Sequence, residues 1–333
     1  MSLISCTAPI VLTVFLVLGS PVWAEELNIY FKTSPRPELL RPFADPVTMS
    51  LLITGADGRP INQGFVEIRL DAPKPGRFFS TDFPFIEGTR LSEMRLALRQ
   101  GRATWNYLLP IRGEYRLAVD VITLDGKKAS KIFDFRVREN EQKWFILGAF
   151  SVGLFLLGLV AGRVFTQNRS SIALLIMVTW FSGSAQLGYA QGLTKPIHTA
   201  SVDIEPAKVG IPTLVQWRLD GDSVGEKPTA YLTLTITHLE KGKVVFGVEK
   251  LPVDGQFSMK FQFPDGADYR VAAVANVPGV PTIRNEQVIP VGGIEPPAKA
   301  MLPALSYFLA IIALGLGAGR WSKLKKEGRM SNP

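Results

Sequence analysis

Cysteine is almost absent: the 333 residues hold one, Cys6, and it precedes an apolar N-terminal run. A chain cleaved after that run keeps no thiol, which excludes disulfides, cysteine nucleophiles and thiolate metal sites. Because Cys6 stands before its hydrophobic stretch, it does not read as a lipoprotein anchor, and no Cys-x-x-Cys-His is present to attach a c-type haem. Histidine is nearly as scarce, with His198 and His238 the only two. No Gly-x-Ser-x-Gly elbow, His-Glu-x-x-His pair or phosphate-cradling glycine loop occurs. Acidic residues are scattered through turn-like stretches, where a solvated charge is the default. No catalytic residue is assigned, and the chain reads as non-enzymatic.

Charge of one sign is also missing from the bulk of the chain. The net charge of +8 comes mostly from Arg163, Arg169 and a tail holding Arg320, Lys323, Lys325, Lys326 and Arg329 against Glu327. These cations border apolar runs, where the positive-inside rule puts cytoplasmic segments. The basic balance therefore reports membrane topology and excludes a nucleic-acid partner.

What the sequence has in plenty is long uncharged stretches. Residues 1–24 read as a signal peptide, with the run Ala8 to Leu18 and Val22-Trp23-Ala24 as a small-residue cleavage site; the departure is an N-terminus without Lys or Arg. Residues 144–165 form a first transmembrane helix. Trp144 to Ala161 lacks any charge and would rise about 27 Å as a helix, close to the ~30 Å hydrocarbon layer of a bilayer. Residues 171–189 read as a signal-like return helix, residues 302–320 as a third span and residues 321–333 as a basic cytoplasmic tail. This predicts a multi-pass protein of the bacterial inner membrane, with Arg163, Arg169 and Arg320 as interfacial anchors in contact with the lipid bilayer.

Between the spans lie two β-rich segments, residues 25–140 and 195–295, both placed on the periplasmic side. The first alternates short apolar runs with turns such as Asp57-Gly58 and Asp125-Gly126; strands are expected at Leu27 to Lys32, Val47 to Thr54, Phe65 to Leu70, Ala103 to Leu109, Tyr115 to Thr123 and Lys131 to Val137. Residues 73–101 break this rhythm. They read as an insertion whose Phe78, Phe79, Phe83 and Phe85 plug the end of a small core, followed by a helical Leu91 to Leu98. The second segment gives strands at Ala200 to Ile204, Thr213 to Leu219, Ala230 to His238, Val244 to Val248, Phe257 to Phe263, Tyr269 to Val277 and Thr282 to Pro290. Leu232, Leu234 and Ile236 alternate with threonines, as expected of a strand with one buried face. The fold class is thus all-β, two Ig-like sandwiches, plus α-helical membrane segments.

The two segments are copies. Gly158 to Arg163 reads GLVAGR and Gly315 to Arg320 reads GLGAGR, while Gly113 to Ala118 (GEYRLA) matches Ala267 to Ala272 (ADYRVA) at nearly the same spacing. Tyr115 and Tyr269 each open a late strand, a position whose hydroxyl bonds backbone at the corner of a sandwich. The pairs Gly158/Gly162 and Gly315/Gly319 put glycines on one helix face, where another backbone can approach closely. They are expected to pack the two equivalent helices together or to bind another subunit or a second copy.

The run from His238 through Asp254-Gly255-Gln256-Phe257 to Phe263-Pro264-Asp265-Gly266-Ala267-Asp268-Tyr269-Arg270-Val271 resembles the small exported sandwich domains of the YtkA-like and FixH-like kind, relatives in outline of CopC-type copper carriers. The resemblance covers the second segment only. It implies an Ig-like fold and a setting of copper or metal handling, or of respiratory-complex assembly, with His238 and His198 as the candidate metal ligands. The sequence lacks the clustered His and Met of such a site, and Met259 is isolated. The function expected is a membrane-anchored scaffold or accessory subunit that binds other membrane-complex subunits; the alternative is periplasmic copper handling or assembly of a respiratory complex.

Overall fold

A computed structural model describes residues 27–61, 63–76, 80–164, 199–220, 229–295 and 298–330. The first half contributes strands β1 (Asn28–Ser34), β2 (Val47–Thr54), β3 (Gly64–Asp71), β4 (Arg90–Ala97), β5 (Arg102–Tyr107), β6 (Gly113–Thr123) and β7 (Lys128–Val137), then helix α1 (Glu141–Val164). The second half repeats the plan with β8 (Thr199–Ile204), β9 (Pro212–Asp220), β10 (Thr229–His238), β11 (Lys243–Asp254), β12 (Gln256–Gln262), β13 (Asp268–Asn276) and β14 (Ile283–Pro290), then helix α2 (Ala298–Met330). The protein is mostly β, as the alternation predicted. The signal peptide, His198, Arg169, Phe78, Phe79 and the return helix 171–189 lie outside the described residues.

The strands form two seven-stranded antiparallel sheets, ordered β1-β2-β5-β11-β10-β13-β14 and β7-β6-β3-β4-β12-β9-β8. Each sheet therefore draws on both halves of the chain. Exchanging β1 to β7 with β8 to β14 turns the first order into the second, so the halves are related by an internal two-fold that swaps the sheets. Two short ladders make the joints: Tyr107 and Asn106 of β5 opposite Phe246 and Gly247 of β11, and Ser92 to Met94 of β4 opposite Phe261 to Met259 of β12. The Leu108 N–H donates to the Val245 carbonyl at 2.9 Å beside the first ladder, and Thr89 Oγ1 donates to Gln262 Oε1 at 3.1 Å beside the second. Between the sheets, Tyr107, Phe246, Phe261, Phe263 and Tyr269 run as a line of ring contacts from one half into the other, with centroids 4.8 to 6.5 Å apart.

One element contradicts the sequence reading. Leu91 to Leu98 is not a helix, and residues 90–97 are not part of an insertion: they are strand β4, paired with β3 on one side and β12 on the other. Leu91, Met94 and Leu98 stand at i, i+3 and i+7, which imitates a helix face. The buried face of the strand is Ser92, Met94 and Leu96, with Glu93 and Arg95 turned outward. Burying Ser92 conceals the period of two. The rest of the stretch does close the end of the core, where Phe83 and Phe85 pack against it and Phe83 stacks on Phe43 at 5.0 Å.

Among the described residues, two helices are long and apolar enough to cross a membrane, Glu141–Val164 and Ala300–Lys325. Their outer surfaces are apolar and open, with Phe145, Leu157 and Leu314 all more than two-thirds exposed. A helix hydrophobic all round needs lipid or protein about it. Both helices leave the same end of the β body, α1 after β7 and α2 after β14, and they run side by side.

Candidate functional site

Two places hold residues the sequence singled out, the helix pair and the corner around His238; the structure adds a third, the outer face of the second sheet at the β4–β12 joint.

In the helix pair the four glycines meet. A Cβ added to Gly158 would stand 2.6 Å from the Ile312 carbonyl oxygen and 3.2 Å from the Gly315 Cα. One added at Gly162, Gly315 or Gly319 would run into the carbonyl of Leu316, Phe155 or Leu159 respectively. The contacts are reciprocal under the internal two-fold, because each glycine faces the carbonyl equivalent to the one its counterpart faces. Only glycine lets two backbones approach this closely, and the gain is dispersion between main chains. Ser151 Oγ and Tyr307 Oη lie 3.2 Å apart across the pair, and Phe150 meets Phe308 edge-on at 5.4 Å. Arg163, expected as a lipid anchor, donates from Nε to Ser322 Oγ of α2 at 3.0 Å. Arg320 is exposed. Trp144, half exposed, lies at the β-body end under the Arg112 guanidinium at 5.7 Å.

His238 ends β10 and is fully buried. Its Nδ1 accepts from the Lys241 N–H at 3.3 Å, which places the ring proton on Nε2, and Nε2 donates to Asp265 Oδ2 at 3.2 Å. Asp265 also receives Lys241 Nζ at 2.6 Å and the Tyr269 hydroxyl. Burial pushes the Asp265 carboxyl up, but the hydrogen bonds from Lys241 and Tyr269 and the Lys241 charge outweigh it and hold it below its ordinary value. Tyr269 is driven upward, first by burial and then by its bond to Asp265. In the first half the same corner is built differently: the Tyr115 hydroxyl donates to the Ile111 carbonyl at 2.6 Å and accepts from the Ile111 N–H at 3.0 Å. Tyr115 thus makes the expected corner with backbone groups, whereas Tyr269 adds a bond to the Asp265 side chain to its backbone contact with the same residue.

Copper was the cofactor the resemblance implied, and among the described residues the surroundings of His238 do not fit it. Both His238 nitrogens are committed within the fold, leaving no lone pair for a metal. Met259 is buried opposite Met94 at the joint. Among the described residues, no three His, Cys, Asp or Glu side chains gather as a metal site. Beside His238, two lysines make a contact between the halves. The Lys241 ammonium lies 4.2 Å from the Phe43 ring centroid, and Lys243 Nζ donates to the carbonyls of Phe43, at 2.9 Å, and Ala44. Sequence reasoning missed both lysines, since nothing local marks a cation whose partner lies in the other half.

The outer face at the β4–β12 joint holds an open groove of about 270 Å³ between Glu67, Arg69, Glu93, Arg95, Ser258 and Lys260. Several of its charges are paired: Glu93 with Lys260 at 3.7 Å and with Arg90 at 3.6 Å, and Arg69 with Asp120. Arg95 lies over the Phe65 ring at 4.2 Å. Arg69 Nε, by contrast, is buried without a hydrogen-bond partner.

No protein-family model and no curated protein matches the chain. Among solved structures, the PmoD soluble domain from Methylocystis sp. ATCC 49242 (Rockwell) is similar at 13% identity, over 34% of this chain and 92% of that one, with a TM-score of 0.23. The E. coli alpha-2-macroglobulin is similar at 13% identity, over 83% of this chain and 15% of that one, with a TM-score of 0.24. Red sea bream transglutaminase follows at 7% identity, over 80% of this chain and 31% of that one, with a TM-score of 0.21. The chain thus spans less than a third of the latter two. Likenesses at these scores carry no functional argument.

Proposed function

We propose that this chain is a non-catalytic accessory subunit: a scaffold held in a bacterial inner membrane, with both β segments on the periplasmic side, acting by protein–protein contact in a membrane complex. Each half is taken as an Ig-like unit copied in tandem. The observation that supports this reading best is mechanical continuity. Both sheets pass through both halves, and below them α1 and α2 are packed glycine to backbone, so the chain forms one stiff post with an apolar stem. A stem whose close-packing face is used internally presents Phe145, Leu157 and Leu314 outward, toward lipid or the helices of a partner.

The test is purification of the tagged full chain from its own membrane in mild detergent, with mass spectrometry of what accompanies it. A membrane protein recovered in fixed ratio to the chain is expected. Recovery of the chain by itself, as a homogeneous monomer, overturns the scaffold reading.

A further inference from the structure

Exposed aliphatic side chains of the β body include Leu124, Ile132 and Val288 as single sites, and one matched pair. Leu39 and Ile211 are 64% and 52% exposed, and they occupy equivalent loops of the two halves: Leu39 between β1 and β2, Ile211 between β8 and β9. Each loop is hydrogen-bonded to the segment entering its own membrane helix. The Arg138 N–H, three residues before α1, donates to the Leu40 carbonyl at 3.2 Å. On the other side the Val209 N–H donates to the Gly292 carbonyl at 3.2 Å, the Gly292 N–H donates to the Ala207 carbonyl at 3.1 Å, and Gly292 leads into α2. Ile294, 43% exposed, lies on that same segment, and Trp144 stands in the first turn of α1.

A lone exposed Leu or Ile on a protein surface needs no explanation. Two in equivalent loops, each tied beside the root of its half's helix, do. The sequences of these loops have diverged, from Arg36-Pro37-Glu38-Leu39-Leu40 to Lys208-Val209-Gly210-Ile211, yet both keep a large aliphatic side chain in the open. Charge does not explain the surface either, because the loops at this end mix Arg36, Arg41, Lys143 and Lys208 with Glu38, Asp45, Glu141 and Glu205.

We propose that Leu39 and Ile211 are paired membrane-seating residues: the base of the β body rests on the bilayer, with both side chains inserted at the boundary between headgroups and acyl chains. This rests on the reading of α1 and α2 as membrane spans. The occupant is lipid and not a partner protein, because the surface lies where the two apolar helices enter the bilayer, a few residues from each. Insertion on both sides of the stem fixes the tilt of the body, where a single foot would leave it free to rock. Side chains at this boundary sit about 5–10 Å into the interface.

The test uses the full chain with Cys6→Ser, reconstituted in phosphatidylcholine nanodiscs and spin-labelled at single cysteines. Labels are placed through Leu39→Cys and Ile211→Cys, with Leu157→Cys in α1 as the lipid reference and Leu124→Cys, in the exposed turn at the other end of the body, as the water reference. Collision with oxygen, which concentrates in lipid, is compared with collision with a water-soluble nickel chelate. Labels at positions 39 and 211 are expected to favour oxygen, between the two references. If they match the label at position 124 while that at 157 reports lipid, the seating proposal fails and the membrane reading stands. Shielding from both reagents would mean a protein cover and would also overturn it. If the label at position 157 reports water, the membrane reading fails and the proposal with it.

Discussion

At the scale of single residues, His238 is where expectation and structure part most clearly. A lone histidine at a strand end in a copper-carrier-like segment invites a ligand role, yet its ring is closed on both sides by Lys241 and Asp265. In the equivalent place of the first half, one residue past the Asp71–Arg116 pair of β3 and β6, stands Ala72; the second half thus carries a buried polar network where the first has a small apolar residue. Such a network rigidifies a corner only while all of its members are satisfied. Replacing the histidine in His238→Ala should therefore cost about 1–3 kcal/mol of stability through an under-bonded Asp265, measured by chemical denaturation. Copper titration calorimetry should give the same trace for this variant and the parent; a copper signal lost with His238 would refute the structural role. Asp265 adds a pH dependence. Its carboxyl titrates below the ordinary 3.8 in the folded protein, so the unfolded chain takes up the proton first and stability falls as pH drops below about 4. In Asp265→Asn this acid-side loss should be smaller than in the parent, as read from denaturation midpoints at descending pH.

At the scale of elements, every strand but β4 was legible from the sequence, including β7, β11 and β14, which lack a clean alternation of burial. β10 shows its period of two in Leu232, Leu234 and Ile236 against threonines, and it forms where expected. β4 hides its period behind the buried Ser92 and was read as a helix; its place between β3 and β12 is what selects the extended form. The glycine pairs of the helices were legible as packing faces, but not their partner. The structure spends them on each other, within one chain. Cysteines introduced as Leu159→Cys and Leu316→Cys should therefore crosslink within the monomer, as a mobility shift without a dimer band. Gly162→Val, whose side chain would meet the Leu316 carbonyl, should abolish the crosslink. A dimer band in the parent background would mean that the face serves a second copy instead.

At the scale of the whole molecule, the internal two-fold of the strand order makes two halves into one body. Because each sheet crosses the joint, neither half keeps all its strand edges paired without the other, and unpaired edges are costly or aggregation-prone. Unfolding should be a single event. Trp105 in the first half and Trp217 in the second are both fully buried, so fluorescence followed in Trp105→Phe and in Trp217→Phe should report coincident denaturant midpoints after correction for each variant's own stability. Two separated transitions within one variant would show that the joint does not couple the halves. The sequence by itself determined the kinds and order of most elements, the two apolar helices, the matching glycine phrases that close them and the scarcity of cysteine and histidine, since these follow from local periodicity and composition. Tertiary structure alone decided that the halves share their sheets, that β4 is a strand, that His238 is enclosed, and that Leu39 and Ile211 stand at the roots of the helices. Those outcomes depend on hydrogen-bond partners far apart in the chain, such as Lys243 on the Phe43 carbonyl, and no local pattern of residues encodes which distant edge a strand will find.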